Sequence, residues 1–221
     1  RRAGASDVVP YPAITLTEDV VATIRSVEPA SKPADEVWMV SSGRALEWKG
    51  YGVAFQTLAV ARRTHPKLRY ICTVTGSDFD KLSELAAEFG VDDIVRILPG
   101  LQRDEAFAYV RQADVFLYPS LRDQPGVVLL EAHAAGVPVV CLCGVVRGME
   151  DGCPRPVPTD LPGRDVPAAL AAIVTSVLDD PEGTRAMVDR ATRLLDRQLL
   201  ATWSAQLIEL IDPGSATPVL A

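Results

Sequence analysis

Apolar and polar positions alternate along the chain in blocks that predict five strands separated by helices. Near-continuous apolar runs of strand length occupy residues 37–42, 68–76, 93–98, 114–120 and 137–143. Between these runs, apolar residues recur at three- and four-residue spacing, which is typical of helices with one buried face. The pattern is clearest after the first run, where the predicted helix face consists of Tyr51, Ala54, Phe55, Leu58 and Ala61.

Strands that are apolar along their whole length, each followed by a helix, are typical of a parallel sheet covered on both faces. We therefore predict an α/β fold, a Rossmann-like parallel sheet flanked by helices. Three further amphipathic helices follow the fifth strand, the last at about residues 200–212. Residues 1–35, rich in Pro, Ala and Ser, are predicted to be a linker or lead-in with a short strand at 7–11, and residues 36–221 to be the domain.

Composition narrows the range of functions. A net charge of −7 argues against a nucleic-acid partner. No apolar run approaches the roughly 20 residues that span a bilayer, and no signal-peptide pattern follows the first two arginines. The four cysteines lack the paired spacing of a metal site, so we expect reduced thiols and no bound metal. A cytoplasmic location is expected, with any association with the inner membrane made through parts outside this chain.

In open parallel α/β sheets, ligands bind beyond the carboxyl ends of the strands. The loops predicted there read "SGRALEWKG", "TGSDFD", "PGLQRDE" and "SLRDQPG" after strands one to four. Each combines a glycine with charged residues close to a helix start. This combination suits an anionic ligand that carries hydroxyl groups, because helix N-termini and cations bind phosphates and carboxylates bind hydroxyls.

Glu131 is unusual because its helical neighbours three and four residues away are all apolar: Val127, Val128, Ala134 and Ala135. Glutamate is almost never buried unless it is paired or bound to something. Two explanations fit this position. Glu131 binds the hydroxyl groups of a ligand, which we favour, or it forms a salt bridge with a neighbouring helix.

Three segments together resemble a known family. "GRALEWKG" matches the pattern G-R-x(4)-K-G, and "LPGLQRDEAFAYVRQADVFLYPS" and "DQPGVVLLEAHAAGVPVV" match the family's later motifs, in order and at the predicted strand ends. Over roughly residues 36–212, the chain resembles the carboxy-terminal, nucleotide-sugar-binding domain of retaining GT-B glycosyltransferases of the family numbered four. The resemblance implies a UDP-, GDP- or ADP-sugar donor, retention at the anomeric carbon, and no metal or separate cofactor. It also implies an unidentified glycan or lipid acceptor and an amino-terminal GT-B domain that is missing from these residues.

The resemblance also implies roles for individual residues. Arg44 and Lys49 match the pair that neutralises the donor diphosphate, and Asp123 matches an acid that contacts sugar hydroxyls. Glu131 matches the glutamate that holds the ribose hydroxyls. The other matched positions act through their main chain: Gly43 after strand one, Gly126 and Val127 at a helix start facing the sugar or phosphate, and Leu98 and Leu101 beside the base.

Some positions depart from the family pattern. Asp123 is shorter than the usual glutamate and also fits a simple turn before Pro125 and Gly126. Pro125 replaces an aromatic residue whose backbone N–H serves the donor, and proline cannot donate. The loop after the fifth strand is also shorter. These departures support an alternative, a catalytically degenerate GT-B-like domain that serves as an interaction or scaffold module. A nucleotide-sugar epimerase shares this fold, but requires catalytic acids that the sequence does not place.

Overall fold

The computed structural model describes residues 15–77, 79–121, 126–142, 149–154, 156–158 and 160–211. Its centre is a five-stranded, fully parallel sheet with the strand order β3-β2-β1-β4-β5. The strands are β1 (Val37–Arg44), β2 (Leu68–Thr75), β3 (Val95–Pro99), β4 (Val115–Tyr118) and β5 (Val139–Cys141). The predicted Rossmann-like α/β fold is thereby confirmed.

Helices cover both faces of this sheet. They are α1 (Glu18–Ser26), α2 (Tyr51–Ala61), α3 (Phe79–Glu88), α4 (Arg103–Arg111), α5 (Val127–Ala134), α6 (Val166–Asp179), α7 (Pro181–Leu195) and α8 (Leu200–Ile211). One hydrophobic cluster joins the sheet to α2, α3 and α6, and a second joins it to α1, α4 and α5. No helix in the described ranges is both long and apolar enough to cross a membrane.

Burial on both faces explains the unbroken apolar runs. In β1, Met39 belongs to the cluster under α2, whereas Trp38 and Val40 belong to the opposite cluster. Successive side chains of a strand alternate between the two faces, so a sheet covered on both sides needs apolar residues at every position. The helix face predicted for α2 is also confirmed, since all five of its residues are buried.

The structure differs from the predicted linker in its second half. Thr17 caps α1 by accepting a hydrogen bond from the backbone N–H of Val20 (3.4 Å). Val21 and Ile24 on that helix are buried in the cluster with α4 and α5. A short helix with one buried face is stabilised by such packing rather than by its own propensity. The strand predicted at 7–11 lies outside the described residues.

The residue before this helix meets the far end of the fold. The backbone of Leu16 forms a parallel bridge with Leu199, at the junction of α7 and α8. Its N–H donates to the carbonyl of Gln198 (3.4 Å), and its carbonyl accepts from the N–H of Leu200 (2.8 Å). The segment before α1 and the segment that joins α7 to α8 therefore lie side by side.

The amino-terminal edge of the sheet contains ion pairs. Asp114, just before β4, accepts hydrogen bonds from the backbone N–H of Trp38 (2.6 Å) and from the Lys32 ammonium (2.7 Å). Nearby, Glu36 accepts from the Trp38 indole N–H (2.6 Å) and from Arg96. Asp114 thus joins β1 to the start of β4, and Glu36 joins β1 to β3.

The charges around Glu36 favour its ionised form. Burial alone would raise the pKa of Glu36, but the hydrogen bonds from Trp38 and Arg96 and the positive charges of Arg96 and Arg69 outweigh it. The pKa therefore lies below the usual value of a glutamate, because each of these partners interacts with the carboxylate rather than with the carboxylic acid.

Candidate functional site

The carboxyl end of β1 carries the first two predicted site residues. Gly43 and Arg44 pair with Val74 and Thr75 of β2, so both belong to the last rungs of the sheet. A Cβ added to Gly43 would meet no atom within 4 Å, which places open space next to this backbone. Arg44 is exposed and makes no ion pair within the part of the chain that the structure describes. Gly43 and Arg44 therefore lie at the carboxyl edge of the sheet, where the sequence predicts them.

Lys49 lies on a short 3₁₀ turn that packs against the residues following β4. Gly50, which ends this turn in the left-handed region (φ 76°), lies so close to Pro119 that an added Cβ would fall 1.9 Å from its carbonyl oxygen. The carbonyl of Trp48 accepts hydrogen bonds from the N–H of Leu121 (2.9 Å) and from the Ser120 hydroxyl (3.3 Å). These contacts fix the turn that carries Lys49 to the exit of β4.

The Lys49 ammonium lies over the ring of Tyr118, 5.7 Å from its centroid. Tyr118 is the last residue of β4 and is buried. Its hydroxyl oxygen lies 3.1 Å from where a Cβ on Gly126 would sit, so the same ring also lies under the start of α5. The structure thus brings Lys49 and Gly126 together through a residue that the sequence analysis did not single out.

The N-terminus of α5 faces this edge without a side-chain cap. Gly126 occupies the capping position and, because it has no side chain, cannot accept a hydrogen bond from the N–H groups of the first turn. Val127, the first helical residue, is 37% exposed although it is apolar. Backbone N–H groups in the first turn of a helix lack partners inside the helix and carry its positive dipole end. This geometry suits an anionic group at Gly126 and Val127.

Glu131 is buried, as its apolar neighbours suggest, and its carboxylate has a protein partner. Arg103, the first residue of α4, donates from Nη2 to Oε1 of Glu131 at 2.7 Å. The Glu131 side chain is 11% exposed, whereas that of Arg103 is 57% exposed. The salt bridge to a neighbouring helix, the alternative weighed for this residue, is therefore present. The binding of ribose hydroxyls by Glu131 stays a prediction.

The salt bridge connects Glu131 to the loop after β3. Leu98 still pairs with Thr73 inside the sheet, while Leu101 lies between the strand and α4. The N–H of Gly100, between them, donates to the carbonyl of Val74 (3.1 Å) and is therefore used within the fold. A nucleotide base bound here would have to contact other main-chain groups of this loop. The prediction for Leu98 and Leu101 therefore excludes the N–H of Gly100 as a donor to the base.

Asp123 and Pro125 lie outside the described residues, so their predicted roles stay predictions. The two residues that the sequence analysis missed are Arg103 and Tyr118. Arg103 was visible as a cation in the loop after a strand, next to a helix start, which is the same signal that singled out Arg44. Tyr118 carried no such signal, because it lies inside an apolar run and its neighbours come from distant segments.

A second polar residue of α5 is held as a neutral group. His133 is buried, and burial lowers its pKa to about 4. Its Nε2 lies 3.4 Å from the Sγ of Cys153, and burial raises the pKa of that thiol to about 12. Both side chains are thus uncharged at neutral pH, and His133 is packed inside the fold.

A cavity of about 420 Å³ opens at the opposite, amino-terminal edge of the sheet. It lies between the starts of β1, β4 and β5 and the corner of α6 and α7. None of the predicted site residues that the structure describes lines it. Its lining includes Val37, His65, Asp114, Pro138 and Arg185.

The segment that contains all of the predicted site residues matches a known protein family. The model described as "Glycosyl transferases group 1" matches residues 24–149, which is more than half of the chain.

Curated relatives carry related names. The chain is 33% identical over 196 residues to the glycogen synthase of Mycobacterium tuberculosis, covering 86% of this chain and 46% of that protein. It is 32% identical over 172 residues to the D-inositol 3-phosphate glycosyltransferase of Streptomyces coelicolor, covering 73% of this chain and 37% of that protein. The chain therefore spans less than half the length of either relative.

A solved structure supports the same assignment at the level of the fold. The pneumococcal O-GlcNAc transferase GtfA, in complex with UDP and GlcNAc, has a TM-score of 0.69 to this chain at 17% identity. The likeness covers 93% of this chain and 40% of that one, and it establishes the fold, which is that of one domain of a GT-B glycosyltransferase. Family match, relatives and fold agree: the chain belongs to the group 1 glycosyl transferases.

Proposed function

We propose that this chain is the donor-binding part of a glycosyltransferase that moves a sugar from a nucleoside-diphosphate sugar to an acceptor, with retention and without a metal or separate cofactor. The observation that carries the proposal is that Tyr118 lies next to both the Lys49 ammonium and the start of α5. The names of the relatives and the UDP and GlcNAc bound to a structural neighbour support a donor of this class.

The chemistry of the reaction explains the need for this arrangement. Breaking the bond between the sugar and the phosphate leaves negative charge on the departing diphosphate. In the absence of a metal, fixed cations and helix-terminal N–H groups must stabilise that charge as it develops. Arg44 and Lys49 would supply the cations, and Gly126 and Val127 the N–H groups. Asp123 would contact the sugar hydroxyls.

The nucleoside would lie toward β3. Glu131 would accept hydrogen bonds from the ribose hydroxyls, and the main chain between Leu98 and Leu101 would contact the base. The bond from Arg103 uses one oxygen of Glu131. A carboxylate has about four acceptor positions, so a ribose diol and Arg103 can share it. Arg103 would then orient Glu131 for the ribose instead of competing with it.

The acceptor, a glycan or a lipid, would bind elsewhere. Because the chain spans less than half the length of its relatives, we propose that the acceptor site needs a second domain outside these 221 residues. Binding of the donor nucleotide is therefore the activity to test in this chain, and turnover is expected only with the complementary domain.

Isothermal titration calorimetry with UDP, GDP and ADP tests the proposal. We expect one nucleotide to bind, and Arg44→Ala and Lys49→Met each to weaken binding about tenfold, because each removes a charge-assisted contact to phosphate. Arg63→Ala is the matched control, since Arg63 is an exposed cation at the end of α2, on the opposite edge of the sheet.

The same titration distinguishes the alternative function. If none of the three nucleotides binds at millimolar concentration, and the full-length protein does not bind them either, the chain is an interaction or scaffold domain rather than a donor-binding one. Equal losses in the Arg44 and Arg63 variants would instead show that binding depends on overall charge and not on this site.

A further inference from the structure

Tyr118 holds a fixed position at the centre of the site. It ends β4, where it pairs with Cys141 of β5, and its carbonyl accepts a hydrogen bond from the N–H of Leu142 (3.0 Å). The side chain is 3% exposed and belongs to the cluster with α4 and α5. A ring held by the sheet backbone and by core packing has little freedom to move. Groups that contact the ring are therefore constrained by its position.

The first such group is the Lys49 ammonium. At 5.7 Å from the ring centroid, it lies within the distance of about 6 Å at which an aromatic face attracts a cation. Lysine has a flexible four-carbon stem, so an ammonium without a fixed support samples many positions. Attraction to the Tyr118 ring favours positions of the Lys49 ammonium at the exit of β4.

The second group is the start of α5. The Tyr118 hydroxyl lies 3.1 Å from the position of a Cβ on Gly126, a distance tighter than most real Cβ contacts. The helix therefore begins directly over the hydroxyl end of the ring, and a side chain at position 126 would displace one or the other. Tyr118 thus contacts two of the groups that the proposed function assigns to the diphosphate, Lys49 and the start of α5.

We infer that Tyr118 is a positioning residue that fixes the Lys49 ammonium relative to the N-terminus of α5, so that both bind the same diphosphate. The inference rests on the proposed function and adds a residue to it. The positioning role can be distinguished from a purely structural role by its effect on binding. A core residue would affect stability alone, whereas a positioning residue also affects how strongly Lys49 contributes to binding.

A double-mutant cycle measures this contribution. The proteins are the native chain, Tyr118→Leu, Lys49→Met and the double variant, titrated with the nucleoside diphosphate that binds best and with the corresponding nucleoside. We expect Tyr118→Leu to weaken diphosphate binding about five- to tenfold and nucleoside binding less than twofold. We also expect Lys49→Met to cost much less in the Tyr118→Leu background than in the native chain. Losses that simply multiply would overturn the inference.

Tyr118→Phe is the conservative variant. It keeps the aromatic face under Lys49 and removes the hydroxyl next to Gly126, so diphosphate affinity should fall by clearly less than in Tyr118→Leu. If Tyr118→Phe binds as weakly as Tyr118→Leu, the ring face is not what positions Lys49, and the inference is wrong. Thermal denaturation of each variant confirms that the comparison is made between folded proteins.

A ligand-free measurement separates this inference from the proposed function. The chain has four lysines, so their amines can be labelled by reductive ¹³C-methylation and resolved by NMR. The Lys49 signal, assigned from its absence in Lys49→Met, should be shifted upfield by the Tyr118 ring and should return to the position of exposed lysines in Tyr118→Leu. An unshifted Lys49 signal in a native chain that binds nucleotide would overturn this inference alone. A native chain that binds no nucleotide would overturn the proposed function.

Discussion

The joint between β1 and β4 is built from different chemistry at the two edges of the sheet. At the amino edge, charged side chains are used as partners for one another and for the backbone: Asp114 bonds to Lys32 and to the N–H of Trp38. At the carboxyl edge, the contacts that join the turn after β1 to the exit of β4 are uncharged. Gly50 lies against the carbonyl of Pro119, and the carbonyl of Trp48 accepts hydrogen bonds from Ser120 and Leu121.

The difference shows how a fold keeps charges available for a ligand. A carboxylate that is fully hydrogen-bonded inside the protein has no capacity left for a substrate, and removing its partner costs stability. The joint at the carboxyl edge uses glycine and backbone carbonyls and does not use Arg44. Arg44 can therefore stay exposed at the carboxyl edge without an ion pair among the described residues.

The largest expected effect comes from breaking the neutral joint. Gly50→Ala adds a Cβ 1.9 Å from the Pro119 carbonyl at a residue with φ 76°. The left-handed conformation costs about 1–2 kcal/mol, and the displaced backbone adds about 1–3 kcal/mol. Urea denaturation should show a loss of about 2–5 kcal/mol. Gly90→Ala is the matched control, because Gly90 has φ 64° but open space around it. Equal losses in the two variants would show that the close approach to Pro119 is unimportant.

The next effect is a pH dependence of folding stability that comes from His133 in α5. Burial holds the pKa of His133 at about 4, against 6.5 for an exposed histidine. As the pH falls from 6.5 to 4, the unfolded chain takes up a proton that the folded chain does not, so folding stability falls by about 3 kcal/mol from this residue. Below pH 4 both states are protonated and the contribution is constant.

His133→Gln isolates this contribution, because glutamine does not titrate. Urea denaturation at pH 7, 5.5 and 4 should show that the native chain loses about 3 kcal/mol more than the variant over this range. Titration of Glu36 occurs lower, because its pKa lies below the usual value of a glutamate. If the two proteins keep a constant difference from pH 7 to pH 4, His133 is not buried in its neutral form.

At the amino edge, Asp114→Ala should cost about 2 kcal/mol of unfolding free energy, because it leaves the Trp38 N–H and the Lys32 ammonium without their acceptor. The partial exposure of Asp114 keeps the loss below that of a fully buried pair. Asp114→Asn, which keeps an acceptor for the Trp38 N–H, should cost less. Nucleotide affinity of both folded variants should match that of the native chain. A loss of nucleotide affinity in either Asp114 variant would contradict the assignment of binding to the carboxyl edge.

The smallest effect on stability is expected for Arg44→Gln. An exposed cation without an ion pair in the described part of the fold contributes within about 0.5 kcal/mol. Thermal denaturation should therefore show an unchanged transition, although the same substitution is expected to weaken nucleotide binding. A clear loss of stability would mean that Arg44 belongs to the fold in the way that Asp114 does.

The sheet could be predicted because its signal is local. The apolar runs that predict β1 and β2 match the observed strands to within two residues at their ends, since a strand covered on both faces must be apolar throughout. The helix α1 was missed because it is only nine residues long and is flanked by segments that contain several prolines and alanines. Its stability comes from Val21 and Ile24 packing on α4 and α5, contacts that the sequence does not display.

The candidate site could be predicted only as a set of positions along one edge. The strand ends that carry Arg44, Lys49 and Gly126 follow from the topology of a parallel sheet. The pairing of Glu131 with Arg103 and the support of Lys49 by Tyr118 depend on side chains 28 and 69 residues apart in the sequence, respectively. Such pairs are fixed by tertiary packing and leave no periodic signal in the chain.

The bridge between Leu16 and Leu199 has a mechanical consequence. A pull applied through the segment before α1 and through α8 loads two backbone hydrogen bonds at Leu16 before it loads any strand of the sheet. Those bonds hold the segment before α1 against the start of α8, so these two segments move together rather than independently.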